Sequence, residues 1–242
     1  MIGRRSSNLN QKKGFALQFP NTRFVLLLSA TCAGKGFTLN LTEKAVTLLR
    51  ANGLKVAFIS FGQMIRDRMK TDSEFKTLYK PTVERGDLLP DDVCIEMFEN
   101  RLNQIVIEMG MPHIVFVDGF CRTEIQIEHA IERGYLEDKD SVIILNAAFE
   151  TCLSRFGHRK KMSPDRLESE VGTFRKRYHL HTDTIPRLRA MFKDCNAHEY
   201  EIDADGESIP TDVFPQFIGC VIDAIWLRHR LLQPGLPTHA VD

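Results

Sequence analysis

Residues 24–36 read Phe24-Val-Leu-Leu-Leu28-Ser29-Ala-Thr-Cys-Ala-Gly34-Lys35-Gly36. The unbroken apolar run predicts a strand buried on both faces, and helical periodicity over Leu39–Leu49 follows the Gly-Lys-Gly. A strand, a tight loop and a helix in that order make a phosphate cradle. Backbone N–H groups of the loop, here around Ala33, Gly34 and Gly36, converge on phosphate oxygens. The helix N-terminus adds positive potential, and Lys35 reaches the outer phosphates. Without a ligand, the same residues are a helix start carrying a surface lysine, so the segment needs companions elsewhere in the chain.

Companions are present. Short apolar runs recur at Val56–Ile59, Ile114–Val117 and Val142–Leu145, with a weaker one at Glu199–Ile202, and helical periodicity fills the intervals. That alternation predicts an α/β chain with a five-stranded parallel sheet and right-handed crossovers. Residues 60–112 hold more chain than one crossover needs. A helical insertion is expected there, ending near Pro90, with Asp91 close to the next helix start.

The chain balances 32 Lys+Arg against 32 Asp+Glu, which removes any general reason to expect a nucleic-acid partner. No apolar run is long enough to predict a membrane span. The six cysteines are scattered without a C-x-x-C, and are read as reduced thiols of an intracellular, cytoplasmic protein. Residues 1–42 carry six basic residues and no acidic one. Residues 1–22 are read as a flexible basic arm that could dock on an anionic partner; a mitochondrial transit peptide has the same composition. Residues 230–242 read as a loose tail.

Two further clusters carry chemistry. Asp118-Gly119-Phe-Cys-Arg122-Thr123 follows the third apolar run, with Gln126 one helical turn beyond Arg122. A carboxylate ending a buried strand is costly unless it meets metal, water or a cation, and the fork of Arg122 suits a phosphate. Arg155 and Arg159 lie four apart on one helical face, and Arg166 and Arg177 lie eleven apart after a short polar stretch. Each cluster alone is equally a capped helix or a solvated charged face.

Together these blocks resemble the adenylate kinase family of nucleoside monophosphate kinases over roughly residues 23–226. Ala33-Gly-Lys-Gly36 is similar to the family's phosphate loop. Ile59-Ser-Phe-Gly62-Gln-Met-Ile-Arg66 is similar to its Ile-Ser-Thr-Gly-Asp-x-x-Arg segment, and Gly86-Asp-Leu-Leu-Pro-Asp-Asp-Val93 to the entry of its next helix. Asp118-Gly-Phe-Cys-Arg-Thr123 resembles its Asp-Gly-Phe-Pro-Arg-Thr, and Ile202-Asp-Ala-Asp-Gly206 its turn against the donor adenine. The arginine separations match as well, with a lid of the short kind at about 159–166.

The resemblance implies a P-loop NTPase-like domain over 23–229 that moves the γ-phosphoryl group of Mg²⁺-ATP to AMP, acting as a monomer with no membrane. It implies Ala33, Gly34, Lys35, Gly36, Phe37, Arg155 and Gly206 at the ATP, and Phe61, Arg66, Leu89, Gly119, Arg122 and Gln126 at the AMP. Lys35, Arg122, Arg159, Arg166 and Arg177 would surround the transferring group, and Asp118 would hold Mg²⁺ through water. The chain departs from the pattern at several places. Ser29 and Cys32 stand for glycines, Phe37 and Phe61 for threonines, Gln63 for an aspartate and Cys121 for the proline. Activity is therefore expected to be retained but reduced. A UMP/CMP-type kinase and a catalytically weak nucleotide-binding subunit of a larger assembly are the alternatives.

Overall fold

A computed structural model describes residues 19–34, 47, 50, 53–162, 170–205, 213–221 and 223. Among the described residues there are five strands: β1 (Arg23–Ser29), β2 (Val56–Ser60), β3 (Ile114–Asp118), β4 (Ser141–Asn146) and β5 (His198–Asp203). They pair in the order β2-β3-β1-β4-β5, every pair parallel. The sheet has the class and strand number expected, and each strand exceeds its apolar run by a residue or two.

The strands are apolar on both sides because both sides are covered. Phe24, Leu26, Leu28, Val115, Val117, Val142 and Ile144 belong to one core. Their neighbours Val25, Leu27, Ile114, Phe116, Ile143 and Leu145 belong to the other. Each such side chain contributes about 1.5–3 kcal/mol by leaving water, so both layers hold the sheet.

The first core lies under α1 (Phe61–Thr71), α2 (Ser73–Glu84), α3 (Asp91–Met109) and α4 (Glu124–Glu132). Two helices thus precede Pro90, and the third starts at Asp91, as the 60–112 spacing predicts. Local chemistry sets their ends. Asp72 caps α2 by accepting from Phe75 N at 2.8 Å, and Thr123 caps α4 by accepting from Gln126 N at 3.2 Å. Pro90 precedes α3, Asp91 and Asp92 occupy its first turn, and Gly110 ends it at φ +73°.

The second core lies under α5 (Phe149–Met162) and a helical stretch at 213–221. The 24-residue helix α6 (Val171–Asp194) serves both layers: Phe174 enters the second core, Leu188 and Phe192 the first. At the amino-terminal edge of the sheet, Asp140 ties three strands together. Its carboxylate accepts from Phe24 N and Glu137 N, and its carbonyl from His198 N. Burial pushes this carboxyl up to about 7, against the opposing pull of those two backbone donors.

All six cysteines are free; Cys94, Cys121 and Cys152 are buried and the others half-buried. Burial raises the thiols of Cys94 to about 11 and Cys152 to about 12, so both behave as small apolar side chains. Among the described residues, no helix is long and apolar enough to cross a membrane, and no three His, Cys, Asp or Glu side chains are grouped to hold a metal ion.

Candidate active site

Strand order places the two informative loops side by side. β1 and β3 are hydrogen-bonded neighbours, with Leu27 opposite Asp118. The loop after β1 and the loop 118–123 therefore leave the carboxyl edge of the sheet together, where parallel α/β sheets bind ligands.

In the first loop, Cys32 takes φ +65° and Gly34 φ +106°. A left-handed backbone costs a non-glycine residue about 1 kcal/mol or more, so the replacement of a glycine by Cys32 is strained as the sequence suggests. Ser29 differs: it is the last residue of β1, buried, and its Oγ has no hydrogen-bond partner among the described residues. Arg155 of α5 reaches across and donates to Ala33 O at 3.3 Å, bringing one expected donor-site arginine against the loop. Arg159, one turn later, has its guanidinium 5.6 Å from the Phe156 ring centre. α5 continues to Met162, into the stretch expected to form the lid. Lys35, Gly36, Phe37, Arg166 and Gly206 lie outside the described residues.

The second loop is shaped by two left-handed residues, Gly119 at φ +90° and Cys121 at φ +58°. A Cβ on Gly119 would sit 3.3 Å from Phe61 Cβ and 3.4 Å from Arg122 Nη2, so glycine serves both the turn and the close seating of the guanidinium. At Cys121 the fixed φ of proline is excluded, which accounts physically for the absence of the family's proline here. The Cys121 side chain is fully buried, its Sγ 3.9 Å from Gln126 O. Asp118 is half-buried and accepts from Ser60 Oγ at 3.3 Å.

Around this loop a cavity of about 120 Å³ is lined by all six residues expected at the monophosphate: Phe61, Arg66, Leu89, Gly119, Arg122 and Gln126. Arg177 of α6 joins them, so three arginines from distant segments border one space. Ile65, Val83 and Cys94 make the rest of the wall largely apolar. Phe61, which stands for a threonine, is the end ring of a stack. It lies 5.3 Å and 12° from Phe120, which lies 4.3 Å and 15° from Phe98. Gln63 holds Arg66 by accepting from Nη2 at 2.8 Å, and itself donates to Asp67 at 2.8 Å. A neutral amide thus orients the arginine where the family has a carboxylate.

Three acidic residues of this region escaped sequence reasoning. Asp87 lines the cavity and is held below the usual carboxylate range by hydrogen bonds from Lys176 and Arg85. Asp91 accepts from Thr123 Oγ1 at 2.7 Å and from Gln126 Nε2 at 2.8 Å. Glu99 of α3 binds His129, Arg133 and Tyr135. Asp87 and Asp91 stand beside Gly86 and Pro90 and read as residues of a helix entry, whereas Glu99 lies in the middle of α3 with no local signal at all.

The insertion is also docked to α6. Gly86, at φ +80°, lies so close that a Cβ would meet Thr173 Cγ2 at 3.0 Å and Thr173 O at 3.1 Å. Thr173 Oγ1 donates to Glu84 O at 3.0 Å, and Lys176 pairs with Asp87. A wider cleft of about 630 Å³ opens beside Ala30, between the ends of β4 and β5 and α6. Glu201, Asp203 and Asp205 line it, and Glu201 is paired with Arg189 at 2.9 Å.

No family model matches the chain. Human adenylate kinase isoenzyme 5 is 25% identical over 214 residues, covering 88% of this chain and 35% of that protein. The chain thus spans about a third of the human relative's length. The adenylate kinase of Parabacteroides distasonis is 28% identical over 165 residues, covering 67% of this chain and 80% of its own. That of Francisella philomiragia is 26% identical over 224 residues, covering 79% and 98%. The parallel sheet in this order, the paired loops at its carboxyl edge and relatives of one name from bacteria to human converge on one likeness: the chain is similar to the adenylate kinases.

Proposed function

We propose that the chain is a nucleoside monophosphate kinase that transfers the γ-phosphoryl group of ATP to AMP, giving two ADP. The observation that carries this reading is the convergence of Arg66, Arg122 and Arg177 on one cavity whose other wall is apolar and contains Gln126. The arginines suit a phosphate and the apolar wall a base, so the cavity has the polarity of a nucleoside monophosphate. At about 120 Å³ it is smaller than the roughly 300–1,000 Å³ of most ligand sites. Admission of the acceptor requires α1 and α2 to move outward, and their return would expel water that otherwise hydrolyses ATP.

In the reaction an oxygen of the acceptor phosphate bonds to the γ-phosphorus as the bond to the β,γ-bridging oxygen breaks. That oxygen is already ionised, so no general base is needed, and fixed positive charge carries the rate. Arg66 and Arg122 would hold the acceptor phosphate in line, with Arg177, on the helix that follows the lid, at the transferring group. Lys35 would serve the donor phosphates and Arg155 the donor base. Magnesium bound with ATP would neutralise phosphate charge. Asp118 fits as its outer partner, because a half-buried carboxylate beside Ser60 Oγ can accept hydrogen bonds from metal-bound water.

A weakly catalytic nucleotide-binding subunit is the second reading, and the strained Cys32 in the donor loop favours it. Coupled ADP formation with AMP, CMP, UMP and GMP as acceptors, beside Lys35→Met, separates the two. AMP-dependent turnover lost in Lys35→Met supports the kinase. Equal rates in the two proteins, or strong preference for a pyrimidine, would count against an adenylate kinase.

A further inference from the structure

Gln126 is 2% exposed, yet among the described residues it is the only uncharged polar side chain on the wall of the arginine-bordered cavity. Its carboxamide is held from both ends. Oε1 accepts from the backbone N–H of Arg122 at 3.0 Å, and Nε2 donates to Asp91 Oδ1 at 2.8 Å. The backbone N–H can only donate and the carboxylate can only accept, so this orientation is the one that satisfies both neighbours. Asp91 is in turn held by Thr123 Oγ1, which donates to the same oxygen at 2.7 Å while capping α4. The carboxylate belongs to the first turn of α3, the carboxamide to α4, and the tie spans 35 residues of sequence.

We infer that Asp91 is the positioning residue that decides which purine the cavity accepts, by locking the Gln126 carboxamide in an adenine-reading orientation. The inference rests on the acceptor reading above and adds a residue to it. A carboxamide has two amide protons and two carbonyl lone pairs, so each end of Gln126 keeps one hydrogen-bonding position after its protein partners are served. Adenine presents a donor amine beside a ring-nitrogen acceptor, the complement of a carbonyl beside an N–H. Hypoxanthine presents a carbonyl oxygen beside an N–H, so it needs the carboxamide turned over. Turning it would set Nε2 against the Arg122 N–H and Oε1 against the Asp91 carboxylate, two repulsive pairs in a buried place. The locked amide therefore rejects the 6-oxo purine as well as accepting adenine. Without Asp91, one of the two penalties disappears.

The test is kcat/KM for AMP and for IMP, with Kd for each by titration calorimetry, in wild type, Asp91→Ala and Asp91→Asn. Wild type should favour AMP over IMP by about 100-fold or more, as expected when a mismatched base leaves buried polar groups unpaired. Asp91→Ala should lower that ratio by about tenfold or more, an effect of the size of one buried hydrogen-bonding mismatch. Asp91→Asn keeps an oxygen that both donors can reach and should restore the wild-type ratio. Should Asp91→Ala fail to fold, Asp91→Ser, whose hydroxyl is too short to reach Gln126 and which is tolerated at a helix start, takes its place with the same expectation. A uniform fall for both nucleotides at an unchanged ratio would overturn the inference and leave the acceptor reading standing. Wild type that neither binds nor phosphorylates AMP or IMP would overturn both.

Discussion

Glu99→Gln probes the tie between α3 and α4, the helices that carry Asp91 and Gln126. The Glu99 carboxylate is four-fifths buried and accepts from His129 Nε2 at 2.9 Å, Arg133 Nε at 3.0 Å, Arg133 Nη2 at 3.2 Å and Tyr135 OH at 2.9 Å. Burial alone would raise its pKa, but the hydrogen bonds from His129, Arg133 and Tyr135 outweigh burial and hold it at about 2 rather than 4.5. A carboxyl displaced downward by about 2.5 pH units, at about 1.4 kcal/mol per unit, stabilises the fold by about 3 kcal/mol at neutral pH. Its folded value lies below the unfolded one. The stabilisation is therefore complete above pH 4.5 and disappears as pH falls toward 2. The variant, which has no charge to lose, should be about 3 kcal/mol less stable than wild type at pH 7, and the gap should shrink to less than half of that near pH 3. Urea unfolding followed by far-ultraviolet circular dichroism at both pH values reads the gap, and other carboxylates cancel in the difference. A gap of the same size at both pH values, or none at pH 7, would refute the electrostatic account of this cluster.

Other expectations concern the loops. Cys32→Gly should raise stability by about 1 kcal/mol in urea unfolding, because glycine takes φ +65° without a Cβ penalty. The same variant should turn over faster in the coupled assay if the loop strain limits donor binding. Gly119→Ala should destabilise by more than about 1 kcal/mol, through its φ of +90° and the crowding of Phe61 and Arg122, and should raise KM for AMP. Arg122→Lys should lower kcat/KM for AMP by about 10- to 100-fold, since one charge-assisted hydrogen bond carries about 1.5–3 kcal/mol. An unchanged kcat/KM would remove Arg122 from the acceptor site.

Sequence alone conveyed the fold well where burial is two-sided. Phe24–Leu28, Ile114–Val117 and Val142–Leu145 are apolar without a break because helices cover both faces of β1, β3 and β4. The edge strand β5 was the faintest of the five, since exposed Glu199, Glu201 and Asp203 alternate with half-buried Tyr200 and buried Ile202. Arg66 was named through the resemblance, Arg122 from the loop after the third apolar run and Arg177 from its spacing to Arg166, and the three border one cavity. The partners that orient these groups were not legible. Asp87 and Asp91 look like ordinary acids beside Gly86 and Pro90, and nothing local distinguishes a cap from a ligand to an amide 35 residues away. The rings of Phe61, Phe98 and Phe120 meet only through tertiary packing, so nothing local showed that phenylalanine at position 61 joins a ring stack.

The left-handed backbone at Cys121 bears on what this position admits. A proline ring cannot follow that turn of the main chain. Cys121 sits between Phe120, a member of the ring stack, and Arg122, whose N–H is held by Gln126 Oε1, so installing proline there would have to rearrange both neighbours at once. The loop thus works as a combination lock: the exchange is admitted only together with a change in its surroundings.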